Sequence, residues 1–205
     1  VVRLVGSEMC IRDRIGSILF NSLGRRSFDL VADKGFNIFF DIKFHDIPNT
    51  VAHSILSFKG YPINLLTVHI SGGMSMLTRA REAAHAIKSK VIGVSLLTSL
   101  DQKDVEKVFF NDIRKVADNL FDLAKEANMD GIVCSAHELK YARTNIPNLL
   151  KIVPGIRLSS DNDDQKRVMS PGEALKLGAN HLVIGRPITE SKHPNAELEK
   201  IYETL

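Results

Sequence analysis

An α/β domain built on a parallel sheet is the fold class this sequence predicts. Three observations point there. Short runs rich in Val and Ile, apolar on both faces, recur along the chain; amphipathic stretches separate them; and neither strands nor helices gather into a block of their own. Strands read as continuous apolar runs when helices cover both faces of a parallel sheet. The strand candidates, in order, are 37–43, 65–69, 90–95, 131–134, 150–153 and 181–184, with a partial one ending near Ile15. Helical stretches fall between them at 75–88, 113–127 and 171–177. In the last of these Ser170 supplies the N-cap, Pro171 the first turn and Gly178 the stop. The chain shows no linker, low-complexity tract or exact repeat, so it reads as one domain. Periodicity does not separate a doubly wound sheet from a closed barrel.

Composition narrows the function. The 205 residues are 44% hydrophobic and 25% charged, enough for one core and slightly short for a complete α/β barrel. A formal charge of +3 with no clustered basic stripe argues against nucleic acid and suits a small anionic substrate. The two cysteines, Cys10 and Cys134, are far apart, imply no disulfide framework and fit a reducing cytoplasm. No apolar run approaches the roughly 18 residues of a membrane span, and no signal peptide is evident. The opening VVRLVGSEMCIRDR is neither periodic nor linker-like. Residues 1–14 therefore read as an aberrant or foreign segment, and 15–205 as the domain.

The chemistry should lie at the C-terminal ends of the strands, the face that hosts barrel active sites. One run ends Asp41-Ile42-Lys43-Phe44-His45-Asp46. Residues two apart on a strand share a face, so Asp41 and Lys43 should project together, with Asp46 in the loop beyond. Charges on a buried strand are costly unless paired, which makes this grouping a candidate site as well as a candidate ion pair. The last two strands lead into Val153-Pro154-Gly155-Ile156-Arg157 and Ile184-Gly185-Arg186-Pro187. Each places a glycine, whose backbone approaches a ligand closely, beside an arginine able to pair with phosphate oxygens. Barrels often hold phosphate at that position. The seven histidines (His45, His53, His69, His85, His137, His181 and His193) lack the compact spacing of a zinc site, although His69 closes a strand as a metal ligand would. No metal is expected.

The run FDIKFHDIPNTV at 40–51 closely resembles the signature of the orotidine 5'-monophosphate decarboxylases, bacterial type. The likeness continues through VHISGG (68–73), SLLTS (95–99), VPGIR (153–157), DQKRVMSP (164–171) and VIGRPIT (183–189). It extends from Ile15 to Leu205 in order, and it selects a (β/α)8 TIM barrel over the doubly wound sheet. By this resemblance Lys43 matches the proton donor to C6 of the pyrimidine, and Asp41 the carboxylate beside the substrate's carboxyl group. Asp46 and Thr50 match residues that reach into a neighbouring subunit's site, so a homodimer is implied. Thr98 and Gln165 fall where the family contacts the base and the closing phosphate loop. Arg157, Gly185 and Arg186 fit base-edge and phosphate positions, Arg186 being the main phosphate partner. No cofactor is implied.

The sequence also departs from the family. Members begin with a strand carrying an aspartate that holds the ribose hydroxyls, followed by a helix and a second strand ending in lysine. Counting back from Asp41 puts that lysine on Arg14, and Asp13 is out of register to replace the missing aspartate. Arginine keeps the charge but exchanges a compact ammonium for a planar fork. The expectation is a barrel lacking its first strand and helix, with open edges on its second and eighth strands and impaired activity. Two alternatives remain: a Mg2+-dependent sugar-phosphate decarboxylase of the same barrel group, and a catalytically impaired barrel fragment.

Overall fold

The computed structural model describes residues 2–5, 12–156 and 169–205. Strands β1 (Val2–Val5), β2 (Arg12–Gly16), β3 (Asn37–Phe44), β4 (Ile63–His69), β5 (Lys90–Val94), β6 (Gly131–Val133), β7 (Leu150–Val153) and β8 (His181–Ile184) close into a barrel in sequence order. From β2 to β8 every neighbouring pair is parallel. The helices lie outside: α1 (Ser17–Leu23), α2 (Arg26–Ala32), α3 (Pro48–Leu56), α4 (Gly73–Ala86), α5 (Gln102–Phe109), α6 (Ile113–Glu126), α7 (Leu139–Asn145), α8 (Pro171–Lys176), α9 (Arg186–Thr189) and α10 (Pro194–Glu203).

The expected gap in the barrel is not what the structure shows. β1 fills it, pairing with both β2 and β8, and it runs antiparallel to each. The physical reason is the length of the connection. A parallel crossover takes about a dozen residues or more, whereas only residues 6–11 separate β1 from β2. The expected open edges on β2 and β8 are therefore covered.

The strand runs fold as their pattern predicts because alternate residues serve two apolar layers. Phe39, Leu65, Ile92 and Ile152 fill the barrel interior, with Val133, Leu150 and Val183 packed against them. Their neighbours Phe40, Leu66, Val91, Ile132 and Val153 face the helices in the larger outer layer. Around the outer side of β3 the aromatic rings of Phe20, Phe28, Phe40 and Phe58 meet at centroid distances of 4.9–5.9 Å. Ser170 caps α8 as expected, and Glu173 completes a capping box with it. Gly178, with φ 104°, ends the helical path in a conformation that side chains rarely adopt.

Candidate active site

The interior set of side chains turns polar toward the C-terminal ends of the strands. Phe39 is followed two residues on by Asp41, and Leu65 by Thr67; Arg14 on β2 lies opposite Phe39. β3 is irregular here. From Phe40 opposite Leu66 to Phe44 opposite Val68, it advances four residues while β4 advances two. Lys43 takes up the excess in a left-handed conformation, φ 56°, which costs a non-glycine residue about 1–3 kcal/mol. Thr67 stands at the irregularity: its Oγ1 accepts the Lys43 backbone N–H at 2.9 Å and donates to Asp41 Oδ1 at 2.9 Å.

Asp41 is the centre of the cluster. The Lys43 ammonium donates to its Oδ1 at 2.9 Å and Arg14 Nε to its Oδ2 at 2.6 Å. The carboxylate is 8% exposed, while the Lys43 and Arg14 side chains are 27% and 24% exposed. Burial by itself pushes the Asp41 carboxyl up. The charges of Arg14 and Lys43, with the hydrogen bonds they donate, outweigh burial and hold it below the ordinary aspartate value. Asp41 and Lys43 do project together, as the sequence predicts, but from an irregular strand rather than a flat one. Nearby, the rings of His45 and His69 lie 5.3 Å apart. Burial, then the neighbouring His45 and Lys43, lower the His69 pKa against the pull of Asp41.

Above the interior layer opens a cavity of about 570 Å³. Arg14, Asp41 and Lys43 line one side; Thr98, Gly185 and Arg186 also contribute. Three basic side chains (Arg14, Lys43, Arg186) stand against two acidic ones (Asp41, Glu190) around its wall. A larger cavity, about 740 Å³, lies between α5, α6 and α7, outside the barrel. There Asp101, Asp118 and Glu138 outnumber Arg114 and Lys140, a poorer match for an anionic ligand. The barrel cavity is the candidate site because its charge balance suits such a ligand and because β2, β3, β5 and β8 all lead into it.

The sequence-predicted residues divide into three groups. Asp41, Lys43, Thr98, Gly185 and Arg186 line the cavity together. Asp46 and Thr50 are exposed and do not line it. Asp46 Oδ1 instead accepts the Ile47 N–H at 2.6 Å. Arg157 and Gln165 lie outside the described residues. Thr67 is a residue that the sequence reading missed. The available signal was a lone hydroxyl in the apolar run LLTVH, on the same strand face as Leu65.

A closed α/β barrel with a buried carboxylate held by two partly exposed cations at the C-terminal ends of its strands has the architecture of a barrel enzyme. The chain belongs to the Orotidine 5'-phosphate decarboxylase / HUMPS family, whose model matches residues 1–201. It is 43% identical over 192 residues to the orotidine 5'-phosphate decarboxylase of Ehrlichia chaffeensis, covering 92% of this chain and 83% of that one. Its fold is similar to the solved structure of orotidine 5'-phosphate decarboxylase from Lactobacillus acidophilus, with TM-score 0.80, 31% identity, and 93% and 85% of the two chains covered. The Thermotoga maritima orotidine 5'-phosphate decarboxylase matches with TM-score 0.74 and 28% identity, covering 94% of this chain and 87% of that one.

Proposed function

We propose that this protein converts orotidine 5'-monophosphate to UMP and CO2, a step of pyrimidine biosynthesis, with Lys43 delivering the proton to C6. The observation that carries the reading is the Asp41-centred cluster, facing the cavity that Gly185 and Arg186 also line. Loss of CO2 from C6 leaves a carbanion with no adjacent carbonyl to delocalise it. Stabilisation then comes from fixed charge and a positioned proton donor. Lys43 supplies both: its ammonium opposes the negative charge growing at C6 and then gives up a proton to that carbon. Asp41 orients the ammonium and sits where it repels the departing carboxylate. Two unit charges about 4 Å apart interact by roughly 4 kcal/mol at an effective dielectric near 20.

The phosphate, remote from the reacting carbon, pairs with Arg186 beside the Gly185 backbone and supplies binding energy that holds the pyrimidine in place. In this reading Thr98, Arg157 and Gln165 contact the base and the phosphate loop. The purified chain should turn over orotidine 5'-monophosphate, read as the fall in absorbance on decarboxylation, equally with and without EDTA. Full loss in EDTA restored by Mg2+ would favour the sugar-phosphate alternative. Arg186→Ala should weaken UMP binding by at least about tenfold, or 1.4 kcal/mol, while uridine binding hardly changes. An equal loss for both ligands would remove Arg186 from the phosphate.

Asp46 and Thr50 enter the reaction by reaching into the site of a second copy, so the working unit is a homodimer. Their exposure, with no part in their own chain's cavity, supports this. Mixing Lys43→Ala and Asp46→Ala chains places both lesions in one site of each heterodimer and leaves the other site whole. Activity should return on mixing; its absence in verified heterodimers would refute the shared site.

A further inference from the structure

Thr67 is fully buried on β4, at the point where β3 falls out of register with it. A buried hydroxyl on an otherwise apolar strand needs partners, and this one has two: it accepts from the Lys43 backbone N–H and donates to Asp41 Oδ1, both at 2.9 Å. The regular β3–β4 pairing is interrupted between Phe40 and Phe44. Lys43 holds φ 56° within that interval. The Thr67 side chain thus gives the Lys43 N–H a partner in this irregular stretch. The same oxygen touches the carboxylate that binds the Lys43 ammonium, so one hydroxyl fixes both the backbone and the side-chain end of the lysine.

We propose that Thr67 is a positioning residue for the reaction, setting the geometry of the Lys43–Asp41 pair without touching substrate. The proposal rests on the reading of Lys43 as proton donor. Thr67→Val keeps the shape and removes the hydroxyl; Thr67→Ser keeps the hydroxyl. Misplacing a reacting group by about 1 Å costs on the order of 100-fold in rate, so kcat of the Val chain should fall by roughly 30–100-fold. KM and UMP affinity should stay within about threefold, since neither the phosphate nor the base is disturbed. Thr67→Ser should recover most of the rate.

Amide hydrogen exchange at Lys43 provides a readout independent of turnover. In the ligand-free protein this N–H should exchange at least about tenfold faster in Thr67→Val than in the unchanged chain, and Ser should restore protection. If the unchanged chain is inactive while Lys43 N–H exchange still quickens in Thr67→Val and is protected again in Thr67→Ser, the proposed reaction is sunk and the positioning role stands. Full activity and unaltered exchange in Thr67→Val would sink the positioning role alone. If the Val chain does not fold, Thr67→Ala is read the same way. Failure of both to fold, with Ser folding, would assign Thr67 to stability and overturn the proposal.

Discussion

The two faces of β3 solve opposite problems with neighbouring residues. Outward, Phe40 packs at 4.9 Å from both Phe20 and Phe28 and at 5.0 Å from Phe58. Each edge-to-face pair contributes about 0.5–1.5 kcal/mol beyond its burial, and several pairs share the load. Inward, one residue further along, Asp41 is a single charge held by Arg14, Lys43 and Thr67, and each partner is different and none substitutes for another. The outward face is redundant and stabilises the barrel. The inward tip is specific, with Lys43 in a strained backbone conformation, as expected where a site is built at the cost of local stability. If this division is right, substitutions on the two faces should separate into those that change rate and those that change folding.

The largest separation should come from Lys43→Ala. It removes a positioned acid, worth roughly 10²–10⁴-fold, and a fixed charge worth a further 10²–10³-fold or so. Turnover should fall by at least about 10⁴-fold. The melting temperature should fall only modestly, because Arg14 and Thr67 still satisfy the buried Asp41 carboxylate, while alanine keeps the Cβ that strains a left-handed residue. A severe loss of stability in Lys43→Ala would show that the inner tip also holds the barrel together. The reverse case is Phe28→Ala, which opens a cavity among Phe20, Phe40, Phe58 and Tyr61. Denaturant melts should show a loss of about 3–5 kcal/mol, with kcat per folded molecule within about threefold of the unchanged chain. A kcat that collapses while the protein remains folded would mean that the aromatic layer aligns the site and that the two faces are not independent.

This division also explains what could be read from the sequence. The outer and inner apolar layers were legible as runs of Val, Ile and Phe, since burial on both sides of a strand leaves a continuous apolar pattern. Strands β7 and β8 fall where the sequence places them, and the other predicted strands differ only at their ends. Asp41 and Lys43 were legible because charge on such a strand is conspicuous. Thr67 was not, because threonine is at home in strands and its role depends on a register shift that no local pattern records. The antiparallel β1 was not legible for a different reason: the opening VVRLVGSEMCIRDR is neither periodic nor linker-like, and the chain before Arg14 is too short for a parallel strand and its crossover helix. A strand that closes the barrel antiparallel needs no such crossover.

The smallest expected effect tests whether Asp41 belongs to the redundant or the specific kind of contact, and it is read in stability rather than rate. The Arg14 and Lys43 charges hold the Asp41 carboxyl below its ordinary value despite burial. A carboxyl lowered on folding adds stability that is fully present above the unfolded value of about 3.9 and is lost as pH falls through the folded value. At neutral pH, Asp41→Asn leaves two cations without their common anion. Since both are about a quarter exposed, water screens part of the loss, and about 1–2 kcal/mol is expected. Below pH 3.9 or so, the unchanged chain progressively protonates Asp41 and comes to resemble the Asn variant, whose amide cannot ionise. Denaturant melts of the two chains from pH 7 downward should therefore differ most near neutrality and converge in acid. Two curves that stay parallel across that range would mean that the cost of Asp41→Asn is steric, and that the carboxylate charge contributes no net stability at this site.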